Sequence, residues 1–306
     1  MSQERAWLID AHAQIWRAWH VYDKGRLDRA GRPVNALLGY ADYLLSLVES
    51  TWLPHRPSPV IAAVFDAPCG RGHRQAIYPE YKGHRPPHPV ELTEQFPRCR
   101  ALAEAAGFGA LDHPGFEADD VIGTLTRRLR SRERAVTIVT GDKDLAQLLG
   151  PDDRWYNPMR GQVMAYGDVK RRFGVMPGQV ADWLALTGDV ADNIPGVPGI
   201  GPRTAARLLR KHESIDGIYA NLSAVYGMKF RGAPRVQALL AEHEAQVRLS
   251  RQLTEIVCDL PLTASPQPWR GIDAPAVVRL LEEACADPAQ IERWEAWSEA
   301  ELARSA

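Results

Sequence analysis

Four short apolar runs in the first half of the chain end in aspartate: AWLID (6–10), VIAAVFD (60–66), FGALD (108–112) and AVTIVTGD (135–142). Between them lie helical patterns: VNALLGYADYLLSLVES (34–50), ELTEQFPRCRALAEAAG (91–107) and ADDVIGTLTRRLRS (118–131). Pro97 is expected to bend or interrupt the second of these. Strand and helix in alternation predict an α/β domain with a mainly parallel central sheet flanked by helices. After about residue 175 the pattern changes. VMPGQVADWLAL opens a helical region whose one strand-like run is EIVCDLP (255–261), and helical patterns at 275–285 and 288–305 follow. This divides the chain into a core over 1–175 and a helical region over 176–306. Trp294 and Trp297, three apart, are expected to pack on the core.

Length and composition narrow the class without naming a chemistry. At 306 residues the chain suits one large domain or two modest ones. No apolar run approaches the roughly 20 residues of a membrane span, and the first residues lack the pattern of a signal peptide. The expectation is a monomeric cytoplasmic protein without a membrane partner. Its four cysteines, Cys69, Cys99, Cys258 and Cys285, form no CxxC pair and read as reduced thiols. With 37 Lys+Arg against 38 Asp+Glu the net charge is −1, which alone gives no hint of nucleic acid. The basic residues are nonetheless clustered, at 127–134, 170–172 and 203–212. The first of these clusters reads as a solvated helix face.

The acids change the picture. Ligand sites in such sheets form at the carboxyl ends of strands, where Asp10 and Asp66 stand. GFEADDVIG supplies Glu117, Asp119 and Asp120 at a helix start, TGDKD supplies Asp142 and Asp144, and GDVAD supplies Asp189 and Asp192. Taken singly, each suits a helix cap or a turn. Together at one sheet end they would repel unless cations bind them. Hard oxygen donors without a His or Cys pattern favour Mg²⁺ or Mn²⁺ over Zn²⁺. Two such ions roughly 4 Å apart activate water and stabilise the leaving oxygen in phosphodiester hydrolysis. Setting those nine acids aside leaves 29 acids against 37 bases, a balance that suits a basic DNA-facing surface.

Beside the last acids, IPGVPGIGPRTAARLL places Gly196, Gly199 and Gly201 ahead of Pro202 and a helix start. Glycines let backbone N–H groups approach a phosphate, and the helix N-terminus adds its dipole. The same shape also serves an ordinary helix–hairpin–helix corner. Between Asp66 and residue 100, RGHRQAIYPEYKGHRPPHP is rich in Arg, His, Lys and Tyr. A helix there would put Lys82 and Arg85 on one face, and Tyr78 and Tyr81 could stack on bases. A solvated loop fits the same composition, with HRPPHP (84–89) an extended connector.

The segments LIDAHAQIWRAWH, VFDA, YPEYKGHRPP, GFEADDVIGTL, VTGDKDLAQLL and TGDVADNIPGVPGIGPRTAARLL resemble, in order and spacing, the bacterial 5′-nuclease family. That family comprises the 5′→3′ exonuclease domain of DNA polymerase I and the related flap endonucleases. The resemblance covers essentially the whole chain and is strongest over 60–212.

It implies a core of the PIN-like 5′-nuclease type, a helical arch at about 67–100, and a helix–three-turn–helix module at about 187–212 that grips duplex DNA. Asp10, Asp66, Glu117, Asp119 and Asp120 match the tighter metal group. Asp142, Asp144, Asp189 and Asp192 match the second. Lys82 and Arg85 match arch cations that steer the scissile phosphate. Arg74, Tyr81, Gly196, Gly199, Gly201, Arg203 and Thr204 fall at DNA-binding positions. A K⁺ ion near 194–201 is implied as well.

The implied activity is structure-specific, two-metal hydrolysis of DNA at 5′ flaps, nicks, 5′ ends or RNA primers, as a stand-alone nuclease. Two departures are Ala11-His12, where the family has Gly-Ser, and His73-Arg74-Gln75-Ala76, where it has Phe-Arg-His-Glu. A DNA-junction binding module with weak catalysis is the alternative. Loss of metal acids would mark it, and all nine are present. An RNA-cutting relative would have no use for the DNA-gripping module.

Overall fold

The computed structural model describes residues 4–49, 59–67 and 72–305, with side chains to residue 300. Cys69 and the part of the expected arch at 68–71 lie outside these residues. A six-stranded sheet forms the centre: β1 (Glu4–Asp10), β2 (Val60–Val64), β3 (Gly109–Leu111), β4 (Arg134–Val139), β5 (Arg154–Asn157) and β6 (Gln162–Ala165). Its spatial order is β3-β2-β1-β4-β5-β6, parallel throughout except for the β5–β6 hairpin. The four aspartate-terminated runs form β1 to β4 as expected. β5 and β6 are not readable in the sequence because four-residue strands that open on a polar residue carry too little alternation.

Alternation along the strands sets the layers. Ala6, Leu8, Val60, Ala62, Val64, Val136 and Ile138 face one core. Trp7, Ile9, Ile61, Ala63, Phe65 and Val139 face the other. Apolar residues on both faces demand helices on both sides. The second face is covered by α1 (Ala11–Val21), α2 (Asn35–Glu49) and α5 (Phe96–Ala105), after the short helices α3 (His73–Ile77) and α4 (Val90–Thr93). The expected helix over 91–107 is thus two helices, and Pro97 sits in the first turn of α5, where its missing N–H costs nothing. The first face is covered by α6 (Ala118–Leu129) and α7 (Tyr166–Phe173), followed by the helical region.

That region comprises α8 (Val180–Thr187), α9 (Pro202–His212), α10 (Ile215–Ala220), α11 (Leu222–Tyr226), α12 (Ala233–Glu242) and α13 (Glu244–Thr254). Leu184, Leu208, Leu209, Leu240 and Val247 share one core with the sheet residues Leu8 and Ile138. The change near residue 175 is therefore a change of element type within a continuous core. EIVCDLP is not a strand. Its backbone is satisfied by side chains of α6 instead: Asp120 accepts from Val257 N–H, Thr124 Oγ1 from Leu260 N–H, and Arg128 donates to the Leu260 and Leu262 carbonyls. The basic run 127–134 faces solvent as expected, with Arg127, Arg128, Arg130 and Arg132 exposed, and Arg130 also pairs with Asp153. Helices α14 (Ala274–Glu283) and α15 (Pro288–Ser305) return to the second face, where Trp294 is 1% and Trp297 9% exposed. No helix is long and apolar enough to cross a membrane among the described residues.

Candidate active site

The chain builds the sheet outward from β1 through β2 to β3 on one side and then crosses back from β3 to place β4 on the other side of β1, so the switch point lies between β1 and β4, where ligands bind beyond the strand ends. Asp10 ends β1 at that point, 5% exposed. It caps α1 by accepting from Ala13 N–H at 3.1 Å, and Thr140 Oγ1 donates to its other oxygen at 2.8 Å. Asp66 follows β2 and accepts from Ala118 N–H, at the start of α6, at 2.7 Å. Asp142 follows β4, with Asp144 N–H donating to it at 2.8 Å. Asp119 stands in the first turn of α6. Helix N-termini thus hold several of these carboxylates in place, the orientation their dipoles favour.

The acids fall into two electrostatic classes. Burial, and then neighbouring Asp66 and Asp142 against the hydrogen bonds just named, pushes Asp10 up to about 6. Burial followed by Asp142 pushes Asp144 up to about 7, and Asp119 is raised well above the usual range by burial, Asp142, Asp10 and Glu117. These carboxylates crowd each other. Glu117, Asp189 and Asp192 instead have protein cations. Lys82 Nζ is 2.6 Å from Glu117, Arg85 is 2.6 Å from Asp192, and Lys143 Nζ lies 2.6 Å from Asp189 and 3.2 Å from Asp144. Burial opposes the charge of Glu117, but Lys82 and Arg74 outweigh it and lower its pKa. Among the described residues no three His, Cys, Asp or Glu side chains are already gathered as a coordination shell.

Residues 78–85 are a run of turns rather than a helix, with Lys82 at φ 54°. They dock on the 189–193 loop: Lys82 N–H donates to Asp192 O, Asn193 to Glu80 O and Arg85 to Ala191 O. Lys82 and Arg85 therefore do converge, through turns. Tyr81 is 3% exposed, its hydroxyl 3.0 Å from both Glu117 and Asp192, so it cannot stack on a base as expected. Tyr78 binds Glu80. Arg74 is likewise turned inward, 5% exposed, and clamps Asp120 with two hydrogen bonds of 2.7 and 2.8 Å. It cannot meet DNA. Asp120, 0% exposed, has one oxygen shared between Arg74 and Glu117 N–H and the other between Arg74 and Val257 N–H. In this structure both of its oxygens are thus taken up by protein donors.

On the far side of Asp189, the loop between α8 and α9 closes on itself through paired Asp189–Ile194 backbone hydrogen bonds. Gly196 (φ 57°) and Gly199 (φ 90°) turn the chain, and a Cβ on Gly196 would lie 2.2 Å from Gly188 N. Gly201 caps α9 with Pro202 in the first turn. Ala205, Ala206, Leu208 and Leu209 bury one face of α9, leaving Arg203, Arg207 and Arg210 exposed on the other and Thr204 half-buried.

Three residues escaped sequence reasoning in their roles. Lys143 was passed over inside TGDKD, although a cation between two acids was a visible signal. Thr140, the first residue of that motif, orients Asp10. Arg74 offered no signal, because its partner lies 46 residues away.

The N-terminal part matches the family model of the 5′-3′ exonuclease, N-terminal resolvase-like domain, over residues 5–174. The model of the 5′-3′ exonuclease, C-terminal SAM fold, matches residues 175–274. Among similar proteins, DNA polymerase I of Pseudomonas aeruginosa is 40% identical over 263 residues, covering 86% of this chain and 28% of that protein. The chain thus spans less than a third of that relative. The 5′-3′ exonuclease of Aquifex aeolicus is 34% identical over 262 residues, covering 85% of this chain and 84% of that one. The bacteriophage T5 D15 flap endonuclease, solved as a complex with DNA and metal ions, shares the fold at TM-score 0.61 and 17% identity, over 98% of this chain and 100% of that one.

Proposed function

Because the chain belongs to the 5′-3′ exonuclease family, we propose that it is a structure-specific 5′ nuclease that hydrolyses DNA phosphodiesters with divalent cations. The observation that carries the reading is the crowding of Asp10, Asp119, Asp142 and Asp144, whose mutual repulsion Lys82 and Lys143 offset only in part and further positive charge would relieve. Their donors are all hard oxygens, which fits Mg²⁺ or Mn²⁺. Asp10, Asp66, Asp119, Asp142 and Asp144 would hold the ions, with Glu117, Asp189 and Asp192 at the rim beside their cations. Two ions when bound supply an activated water and neutralise the leaving oxygen.

The chain's own residues do the rest. Lys82 is opposed by burial, but Glu117, Asp192 and Asp119 outweigh it and keep the ammonium charged. With Arg85 it presents positive charge over the acids, where the scissile phosphate would lie and where charge develops in the transition state. Exposed Arg203, half-buried Thr204 and the Gly196–Gly201 turn, with Gly199 and Gly201 at its exposed edge, would grip duplex phosphates without reading sequence. The K⁺ ion belongs to the same turn. Gly196 O already accepts from Gln246 and Val197 O from Ile200 N–H, so the ion would use remaining lone pairs. Flaps, nicks and RNA-primer ends as substrates, a monomeric state, a cytoplasmic location and the 1–175 and 176–306 division are parts of this proposal.

Cleavage of a 5′-labelled flap duplex with Mg²⁺, beside Asp142→Ala and an EDTA control, tests it. A short 5′ product lost in both controls is expected. Tight flap binding without cleavage by the unmutated protein would leave the junction-binding alternative.

A further inference from the structure

His12 lies on α1 two residues past Asp10 and is unused by the chemistry above. Its Nε2 stands 3.5 Å from Asp66 Oδ2. The other Asp66 oxygen already accepts from Ala118 N–H at 2.7 Å. The carboxylate is therefore approached by two groups, one from the start of α6 and one from the start of α1. The His12 ring has little freedom to turn. Phe96, at the start of α5, stacks on it at 4.6 Å and 14°, and His88 from the connector lies 5.3 Å away with Trp16 behind it at 4.9 Å.

The second ring nitrogen decides what His12 does. Nδ1 is buried and has no hydrogen-bond partner. A proton on Nδ1 would be a buried unsatisfied donor, which costs more than an unused acceptor lone pair. The proton therefore sits on Nε2, facing Asp66. Direct ligation of a metal through Nε2 would force that proton onto Nδ1, where histidine ligands normally donate to a partner and this one has none.

Resting on the reading of Asp66 as a metal ligand, we propose that His12 is a positioning residue: its Nε2–H donates to Asp66 Oδ2 and fixes the carboxylate plane for the cation. At 3.5 Å the contact is long, as such contacts are before the site is loaded. The aromatic clamp joins it to the connector at His88, so Asp66 is also coupled to the segment that leads out of the 78–85 turns.

The test is Mn²⁺ binding to the full chain, read by electron paramagnetic resonance and calorimetry, for the unmutated protein, His12→Phe, His12→Gln and Asp66→Asn. Phenylalanine keeps the stack and removes the donor. His12→Phe is expected to melt near the unmutated protein while binding Mn²⁺ about 10-fold or more weakly, the size typical of such outer contacts. His12→Gln, which retains a donor, is expected to recover part of that loss. Unchanged Mn²⁺ binding in His12→Phe, with Asp66→Asn weakened, would overturn the role of His12 alone. Unchanged binding in Asp66→Asn would overturn the metal reading of Asp66 and this inference with it. Direct ¹⁴N coupling to Mn²⁺ that vanishes in His12→Phe would make His12 a ligand and overturn the positioning role.

Discussion

Asp10 and Asp144 are carboxylates held where their charge is costly. Their folded values of about 6 and about 7 lie above the ordinary carboxylate range, through burial first and neighbouring acids next. The metal-free fold therefore binds their protons more tightly than the unfolded chain does. Their contribution to stability is complete below the unfolded carboxylate value and is lost as pH rises through about 6 and 7. Glu117 runs the other way, because its folded value is depressed, and it loses stability only in stronger acid. In EDTA, calorimetry should find a higher melting temperature at pH 5.5 than at pH 8, and saturating Mg²⁺ should reverse that order because protons compete with the ion. Asp144→Asn should raise the metal-free melting temperature at pH 8 by about 2 °C, or ~1 kcal/mol, and leave it unchanged at pH 5. An equal gain at both values would show that Asp144 carries no such penalty.

At the scale of elements, Arg74 ties three pieces of chain together. From α3 it clamps Asp120 of α6 and donates to Leu253 O, in α13, and to Glu255 O beyond it. Removing one member of a buried pair leaves the other uncompensated, so Arg74→Ala and Asp120→Ala should each destabilise by about 3–5 kcal/mol. The joint variant Arg74→Met with Asp120→Leu should cost clearly less than the two single losses added. Urea denaturation of the four proteins checks this, and simple additivity would refute the pairing.

This junction also marks where the sequence stops being legible. β1 to β4, α2 and α6 are readable because their periodicity is local and long. The Gly196–Gly201 turn is readable because its φ requirements are written in glycine. The direction in which Arg74 and Tyr81 point is set by acids far away in sequence, whereas the family resemblance suggests DNA contact for Arg74 and spacing suggests base stacking for Tyr81. The convergence of the acids was readable from their places at strand ends. Their split into cation-paired and unpaired classes was not, because Lys82 and Lys143 reach partners 35 and 46 residues away.

Across the whole molecule the net charge is −1, so net charge alone does not draw a polyanion to this chain. On the proposed function, affinity for DNA would come from local arrangement, and α9 is the element that would supply it. Its apolar face is locked into the shared core while Arg203, Arg207 and Arg210 face outward beside the glycine turn. Phosphate contacts release counterions, so binding should weaken linearly in log salt with a slope of about −0.9 per phosphate neutralised. Arg203→Ala should lower affinity for duplexes of different sequence alike and reduce the slope by about 1. Arg293 is the matched control. It is a cation of α15 that pairs with Glu49 on the second face of the sheet. Arg293→Ala changes the net charge by the same amount and should leave both affinity and slope as they were. Fluorescence anisotropy with a Ca²⁺-blocked or Asp142→Ala protein, from about 50 to 200 mM salt, distinguishes the two accounts. Equal effects of the two substitutions would mean that bulk charge governs binding, and an effect confined to Arg203 would place the duplex on α9.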